Sequence, residues 1–213
     1  APVVVRDTPD GAIVRTVRLD PSGEAREAVA LAALEDALWV ALRPRQPSTL
    51  PGALRRLDAT TLAPLGESPS GSDTGSLLAL PERASVLASN FETDTVTEHD
   101  ESGGSRAIHA APGPLGMLSL PDGRVLALDY YSNAISFLDL DGPRSETLPL
   151  ALGSTPFVNP TQAALSGDQR SAWIVSSGTD GHLLQLDLAS RTPGAVGLEL
   201  HVVNTHLSLL SRR

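Results

Sequence analysis

The chain has 213 residues, of which 41% are hydrophobic and 19% charged, so it can bury a core. It contains no Cys and no Lys, which excludes disulfides, thiolate zinc sites and nucleophilic thiols or lysines. The formal net charge is −9 and no basic stripe is visible, which argues against a nucleic-acid partner and suits solubility or a cationic partner.

No apolar run predicts a membrane span. The longest candidate, residues 28–42, is interrupted by Glu35 and Asp36 and is too short to cross a bilayer.

Four stretches in chain order follow one pattern of a strand, a polar turn, a second strand and an Asp. A fifth, weaker copy at the start of the chain shows only a strand that ends at its Asp. The closing residues are Asp7, Asp58, Asp100, Asp139 and Asp187. They recur about every 40–50 residues, which is close to the period of four-stranded propeller blades. Each Asp is expected to accept hydrogen bonds from the backbone of the turn that follows it.

Shorter apolar runs flank these pairs and complete units of four strands. "LGMLSLPDG" at residues 115–123 precedes the third full pair, and its Pro-Asp-Gly predicts a hairpin turn. The pattern predicts an all-β fold, a β-propeller of four-stranded antiparallel blades, in which neighbouring sheets cover each other's faces. A β-sandwich is the alternative, but it does not explain the recurring Asp.

The number of blades follows from the ends of the chain. Residues 3–6 and 12–19 predict the third and fourth strands of a first blade, four full units follow, and one more apolar run lies at residues 206–211. We therefore expect residues 1–213 to form a single propeller domain of about five blades, or a segment of a larger propeller.

Two of the units resemble a known family. "VLASNFETDTVTEHD" and "VLALDYYSNAISFLD" resemble the YVTN β-propeller repeat, best over residues 85–139, moderately over 172–187 and poorly over 37–58. The resemblance implies a seven-bladed, bacterial, extracytoplasmic (periplasmic or secreted) propeller that binds proteins or other macromolecules. Some such proteins accompany c-type haem domains, but no C-x-x-C-H occurs here.

Catalytic signatures are missing from the sequence. There is no G-x-S-x-G, H-E-x-x-H, P-loop or G-x-G-x-x-G. His99 is interpreted as a partly exposed strand residue, and the Asp139-x-Asp141-Gly142 segment as a turn instead of a calcium loop, which would need more oxygen ligands. No catalytic residue, metal ligand or cofactor is predicted, calcium being the one cofactor kept open.

The seven aromatic residues divide into two groups. Trp39, Trp173 and Phe137 fall on predicted strands and are assigned to the core, whereas the other four fall in loops. Three of these occupy the same loop type, between second and third strands, and would share one face of a propeller. The predicted binding residues are Phe91, Tyr130, Tyr131 and Phe157, with Asn90, Asn133 and His182 nearby. The alternative is that the rings cap the blade interface below them.

Three functional hypotheses follow. The first is a non-catalytic binding or scaffold module outside the cytoplasm, with a protein partner. The second is a lactonase-like or quinoprotein-like enzyme with a divalent metal at the central channel, held by carboxylates such as Glu92, Asp129 and Asp180. The third is that the chain is one module of a larger complex.

Overall fold

A computed structural model describes residues 2–6, 13–19, 26–45, 51–71, 73–142, 145–152, 155–156, 159–177 and 182–199. In these ranges the regular structure is β-strand, apart from a short 3-10 helix at Pro81–Arg83. None of the described residues belongs to a helix that is long and apolar enough to cross a membrane.

Within the described ranges, four sheets of four strands follow one another along the chain. Blade 1 consists of β3 (Arg26–Leu34), β4 (Ala37–Pro44), β5 (Ala53–Asp58) and β6 (Pro64–Pro69). Blade 2 consists of β7 (Thr74–Leu80), β8 (Ser85–Asn90), β9 (Thr95–Asp100) and β10 (Ser105–His109). Blade 3 consists of β11 (Pro114–Ser119), β12 (Val125–Asp129), β13 (Ala134–Leu138) and β14 (Ser145–Pro149). Blade 4 consists of β17 (Pro160–Leu165), β18 (Ser171–Ser176), β19 (His182–Asp187) and β20 (Pro193–Glu199).

Two smaller sheets accompany the blades. β1 (Pro2–Arg6) pairs with β2 (Ile13–Arg18) ahead of blade 1, and the short strands β15 (Ala151–Leu152) and β16 (Thr155–Pro156) pair between blades 3 and 4. The predicted first-blade pair at residues 3–6 and 12–19 is therefore present as β1 and β2. Asp7 and the apolar run at residues 206–211 lie outside the described residues.

Every blade is an antiparallel meander in which strand order follows the sequence. The first strands contact each other in succession, β3 with β7, β7 with β11 and β11 with β17. First strands therefore line the axis and the blades are arranged radially around it, which is the β-propeller arrangement and not the two layers of a sandwich.

The core lies between the blades because a sheet in this arrangement is covered on both faces. All five residues of β12 are buried. Val125 and Ala127 belong to the cluster shared with blade 2, whereas Leu126 and Leu128 belong to the cluster shared with blade 4. The alternation of side chains along the strand thus serves two interfaces at once. Blade 1 packs in the same way on blade 2 and on the Val17 and Leu19 side chains.

The recurring Asp residues behave as predicted. In each, Oδ1 accepts hydrogen bonds from backbone N–H groups two to four residues later, at 2.6–3.2 Å. The four described examples are Asp58, Asp100, Asp139 and Asp187. Hydrogen bonds from their turns lower the pKa of Asp58, Asp100 and Asp187, so these carboxylates stay ionised. Asp139 is therefore a turn residue, as the sequence indicated.

Arginine side chains join neighbouring blades on the face that carries the turns between first and second strands and between third and fourth strands. Arg83 of blade 2 pairs with Asp141 of blade 3 at 2.7 Å. Arg191 of blade 4 forms an ion pair with Glu146 of blade 3. Its guanidinium also lies 5.0 Å from the centroid of the Phe137 ring.

Two predicted environments were wrong. His99 is buried, 1% exposed, with its ring nitrogens 3.4 Å from Ser68 Oγ and 2.9 Å from Thr97 Oγ1. It is buried because blade 1 covers this side of blade 2. Trp173, assigned to the core, is only half-buried, whereas Trp39 and Phe137 are buried as predicted.

Candidate functional site

Three aromatic rings meet on the opposite face of the propeller, which carries the turns between second and third strands and is called here the aromatic face. The ring centroids of Phe91 and Tyr131 are 4.6 Å apart. Tyr130 lies 5.5 Å from each of them in edge-to-face geometry. Tyr131 is 62% exposed, while Phe91 and Tyr130 are half-buried. These three residues form the aromatic cluster.

The cluster forms because equivalent turns of adjacent blades lie side by side. Phe91 follows β8 in blade 2, and the two tyrosines follow β12 in blade 3. The segment that connects the blades passes between them, and Tyr130 N–H donates to Gly113 O at 2.9 Å. Gly113 has φ +74, and a Cβ there would lie 2.7 Å from the Tyr131 ring. A glycine is therefore required for the ring to lie against this backbone.

Side chains at the end of each turn fasten one blade to the next. Asp94 and Asn133 occupy the same left-handed position, with φ 55 and 53. Asp94 Oδ1 accepts from Gly113 N–H, and Asn133 Oδ1 accepts from Asn159 N–H, both at 2.9 Å. Each acceptor therefore holds the residue just before the first strand of the next blade. This role for Asn133 is structural, and it places the turn that carries the tyrosines.

Two other predicted site residues, Asn90 and His182, lie away from the cluster surface. Asn90 is completely buried, and its Nδ2 donates to the hydroxyls of Thr95 and Thr97 at 3.2 and 3.1 Å. It shares a face of β8 with Val86 and Ala88, which pack towards blade 1, and the Gly71 backbone between blades 1 and 2 covers it, so its side chain supports the turn from inside. His182 begins β19 in blade 4, one blade beyond the cluster, and is half-buried. Phe157 lies outside the described residues.

Sequence reasoning missed that Asp129 is buried and that Ser136 donates a hydrogen bond to it. Asp129 ends β12 immediately before the tyrosines and is 0% exposed. Its Oδ2 accepts from Ser136 Oγ at 2.7 Å, while Oδ1 is buried without a hydrogen-bond partner in the described structure. Burial raises the pKa of Asp129 to about 7, and the negative charge of Asp94 adds to the rise. Ser136, in the middle of β13, is likewise 0% exposed.

The surface around the cluster is acidic. Glu92 is exposed and Asp94 half-buried, and both belong to the Phe91 turn. Within the described part of the chain, no hydrogen bond or ion pair engages the Glu92 side chain. Arg43, near the end of β4 in the neighbouring blade, is held between Glu27 at 2.6 Å and Asp73 at 2.8 Å. Two carboxylates beside the aromatic cluster thus have no basic partner in the part of the chain that the structure describes.

The carboxylates proposed for a metal do not converge in the described structure. Glu92 is on the surface, Asp129 is buried, and Asp180 lies outside the described residues. Among the residues described, no group of three or more His, Asp or Glu side chains could hold a metal ion. A separate groove of about 350 Å³ lies on the face opposite the cluster, between the Leu120–Arg124 turn of blade 3 and the Asp187–Ala189 turn of blade 4.

Comparisons with known proteins agree with the architecture. Hydrazine synthase of Kuenenia stuttgartiensis is similar over 79% of this chain and 49% of its own, with 17% identity and a TM-score of 0.65. A functionally unknown protein from Desulfotomaculum acetoxidans matches over 91% and 61%, with 13% identity and a TM-score of 0.66. A catalytically inactive virginiamycin B lyase from Staphylococcus aureus, with quinupristin, matches over 83% and 58%, with 12% identity and a TM-score of 0.63.

These similarities define the fold class, and the chain is a β-propeller of four-stranded antiparallel blades. The chain spans about half to three fifths of the length of these three structures. At such low identity the similarity concerns the fold alone, which carries enzymes and proteins of unknown function alike. No protein-family model and no curated protein matches the sequence.

Proposed function

We propose that this β-propeller is a non-catalytic binding module that captures a protein partner on its aromatic face, as part of a larger assembly outside the bacterial cytoplasm. The observation that carries the proposal is the aromatic cluster, in which Tyr131 is 62% exposed on a framework of inter-blade hydrogen bonds. Rigid, exposed aromatic side chains lose little conformational entropy on binding and are enriched at binding hot spots. The resemblance of residues 85–139 to the YVTN repeat supports the extracytoplasmic location.

The test is selection of a displayed random-peptide library on the wild-type protein, followed by binding of the selected peptides to Tyr131→Ser. We expect the peptides to lose affinity for the variant by about tenfold or more, since hot-spot truncations cost 2 kcal/mol or more. The melting temperature should change by less than about 2 °C, because an exposed side chain adds little to folding stability.

Leu65→Ser is the matched control. Leu65 is 48% exposed on β6 of blade 1, so this variant also removes an exposed apolar side chain. Selected peptides should bind it like the wild type. Equal binding to wild type and Tyr131→Ser, or a large loss of stability in Tyr131→Ser, would refute the proposal, the latter because the ring would then be part of the core.

The second candidate is the propeller enzyme with a divalent metal. The observation in its favour is the buried Asp129 carboxyl, which keeps one oxygen without a partner. Calcium titration with thermal melting tests it. A bound metal stabilises the folded state by linkage, so a melting temperature that rises with calcium in the wild type and not in Asp129→Asn would support the enzyme. A binding module of the kind proposed should not respond.

A further inference from the structure

We propose that the aromatic cluster takes a basic segment of its partner, with an Arg or Lys side chain stacked on Tyr131 or Phe91 and its charge directed to Glu92 and Asp94. This inference rests on the proposed function and names the chemistry of the partner. Three observations carry it: among the described residues no Arg lies over the rings and no basic group pairs with the neighbouring carboxylates, and the chain as a whole is acidic.

Two aromatic rings elsewhere in this protein, those of Trp39 and Phe137, already have an arginine over them. The Arg56 guanidinium lies 5.6 Å from the centroid of the Trp39 ring. Phe137 has two such neighbours, Arg124 at 5.1 Å and Arg191 at 5.0 Å. Among the described residues, no Arg side chain lies over a ring of the aromatic cluster. The cluster therefore presents unoccupied aromatic surface to which a cation is attracted by the ring quadrupole.

The negative charges beside the rings favour a positively charged ligand. Glu92 is exposed and unpaired among the described residues, and Asp94 uses one oxygen to accept from the Gly113 N–H. A neutral or acidic partner that covered this surface would desolvate or repel these carboxylates without compensation, which is unfavourable. A guanidinium or ammonium group compensates them and contacts a ring with the same side chain.

The net charge of −9 acts at longer range. An acidic protein attracts a basic segment before contact and accelerates association at low ionic strength. On the aromatic face, the positive charge of Arg43 is compensated by its ion pairs with Glu27 and Asp73. Arg83 and Arg191 serve the opposite face, where they link blades.

The experiment uses three short, fluorescently labelled peptides with capped ends and the repeat Gly-Xaa, where Xaa is Arg, citrulline or Glu. Citrulline retains the shape of arginine and most of its hydrogen-bond donors but carries no charge. Fluorescence anisotropy should show binding of the Arg peptide, affinity at least about fivefold lower for the citrulline peptide, and no binding of the Glu peptide. Affinity for the Arg peptide should fall as salt is raised.

Substitutions test whether the Arg peptide binds at the aromatic cluster. Tyr131→Ser and Glu92→Gln should each weaken the Arg peptide by about three- to tenfold, and Glu92→Gln should also reduce the salt dependence. Glu82→Gln is the matched control, because Glu82 is an exposed acidic residue of the same blade on the opposite face. It removes the same charge from the protein as a whole and should leave affinity nearly unchanged.

Three results would overturn the inference: equal affinity for the Arg and citrulline peptides, equal weakening by Glu82→Gln and Glu92→Gln, or no binding of the Arg peptide. The library selection separates this failure from failure of the proposed function. Selected peptides that depend on Tyr131 but are neutral or acidic would retain a binding module and reject a basic partner. Failure to select any Tyr131-dependent peptide would reject both.

Discussion

The replacement of Asp129 by Asn tests the electrostatics beneath the aromatic cluster. Asp129 is fully buried, with Oδ1 lacking a partner in the described structure and Oδ2 bonded to Ser136. The preceding blade carries Asn90 at the equivalent place, the last residue of its second strand, where it is also buried and bonds hydroxyls of its own blade. The fold therefore accommodates a buried Asn at the end of a second strand.

The magnitude follows from the pKa of about 7, compared with an ordinary value of 3.8. At about 1.36 kcal/mol per pKa unit, the ionised form is destabilised by about 4 kcal/mol in the folded state. Below pH 3.8 both folded and unfolded chains hold the proton. Between that pH and about 7 only the folded chain holds it, so this carboxyl makes the protein less stable as the pH rises through the window. Above about pH 7 the loss is complete.

Asp129→Asn should therefore gain stability relative to wild type as the pH is raised from about 4 to about 7, by up to about 4 kcal/mol. Urea unfolding followed by tryptophan fluorescence measures this difference at each pH, because Trp39 is buried in the folded protein. Subtracting the unfolding free energies of the two proteins at each pH cancels the contributions of other titrating groups. Glu98 is one of these: burial acts to raise its pKa, but hydrogen bonds from Arg83 and Arg106 lower it overall.

The reverse variant, Asn90→Asp, provides the control. It should create a second buried carboxyl and lose stability as the pH rises through the same range. A stability difference between wild type and Asp129→Asn that does not vary with pH would refute the reasoning, since it would mean that the carboxyl titrates alike in both states. A less stable Asp129→Asn at pH 8 would refute it as well.

Two further predictions concern the links between blades. Phe137→Ala should lower the free energy of unfolding by about 3–5 kcal/mol, because it empties a buried site between blades 3 and 4 and removes the ring under two guanidinium groups. Urea unfolding measures this loss, and a loss below about 1 kcal/mol would contradict the packing. Asn133→Ala should lower the free energy of unfolding by about 1–3 kcal/mol, because it removes the acceptor for Asn159 N–H and places Ala at φ 53. Asn133→Asp keeps the acceptor and should retain most of the stability. Equal losses in the two variants would contradict the assigned hydrogen bond.

Much of the architecture could be predicted because it depends on local signals. The alternation in residues 125–129 and 134–138, the hairpin at Pro121–Gly123 and the turn at Asp139 each act over a few residues. Repetition of such units then predicts the propeller, since sheets of this kind have both faces to bury. Placement of Phe91 and Tyr130 on one face followed from the same logic, because equivalent loops of a propeller share a face.

Burial was harder to predict than architecture. Asn90 and His99 are polar residues near the ends of strands, and their sequence neighbours resemble those of exposed residues. Both are buried because an adjacent blade, distant in sequence, covers them, and hydroxyls such as Thr97 satisfy their polar atoms. Asp129 shows the same effect most clearly, because only its neighbours in space decide whether it keeps its proton.

The repeated four-stranded unit, its acidic turn and the common face of the loop aromatics could thus be read from the residue pattern, since they depend on periodicity and backbone chemistry within about 40 residues. The folded chain was needed to show that Tyr131 lies against Gly113 and that Asp94 and Asn133 link successive blades. It was also needed to show that Glu92 lacks a basic partner among the described residues. These features arise where different blades meet, and contacts between distant segments depend on the packing of the whole ring.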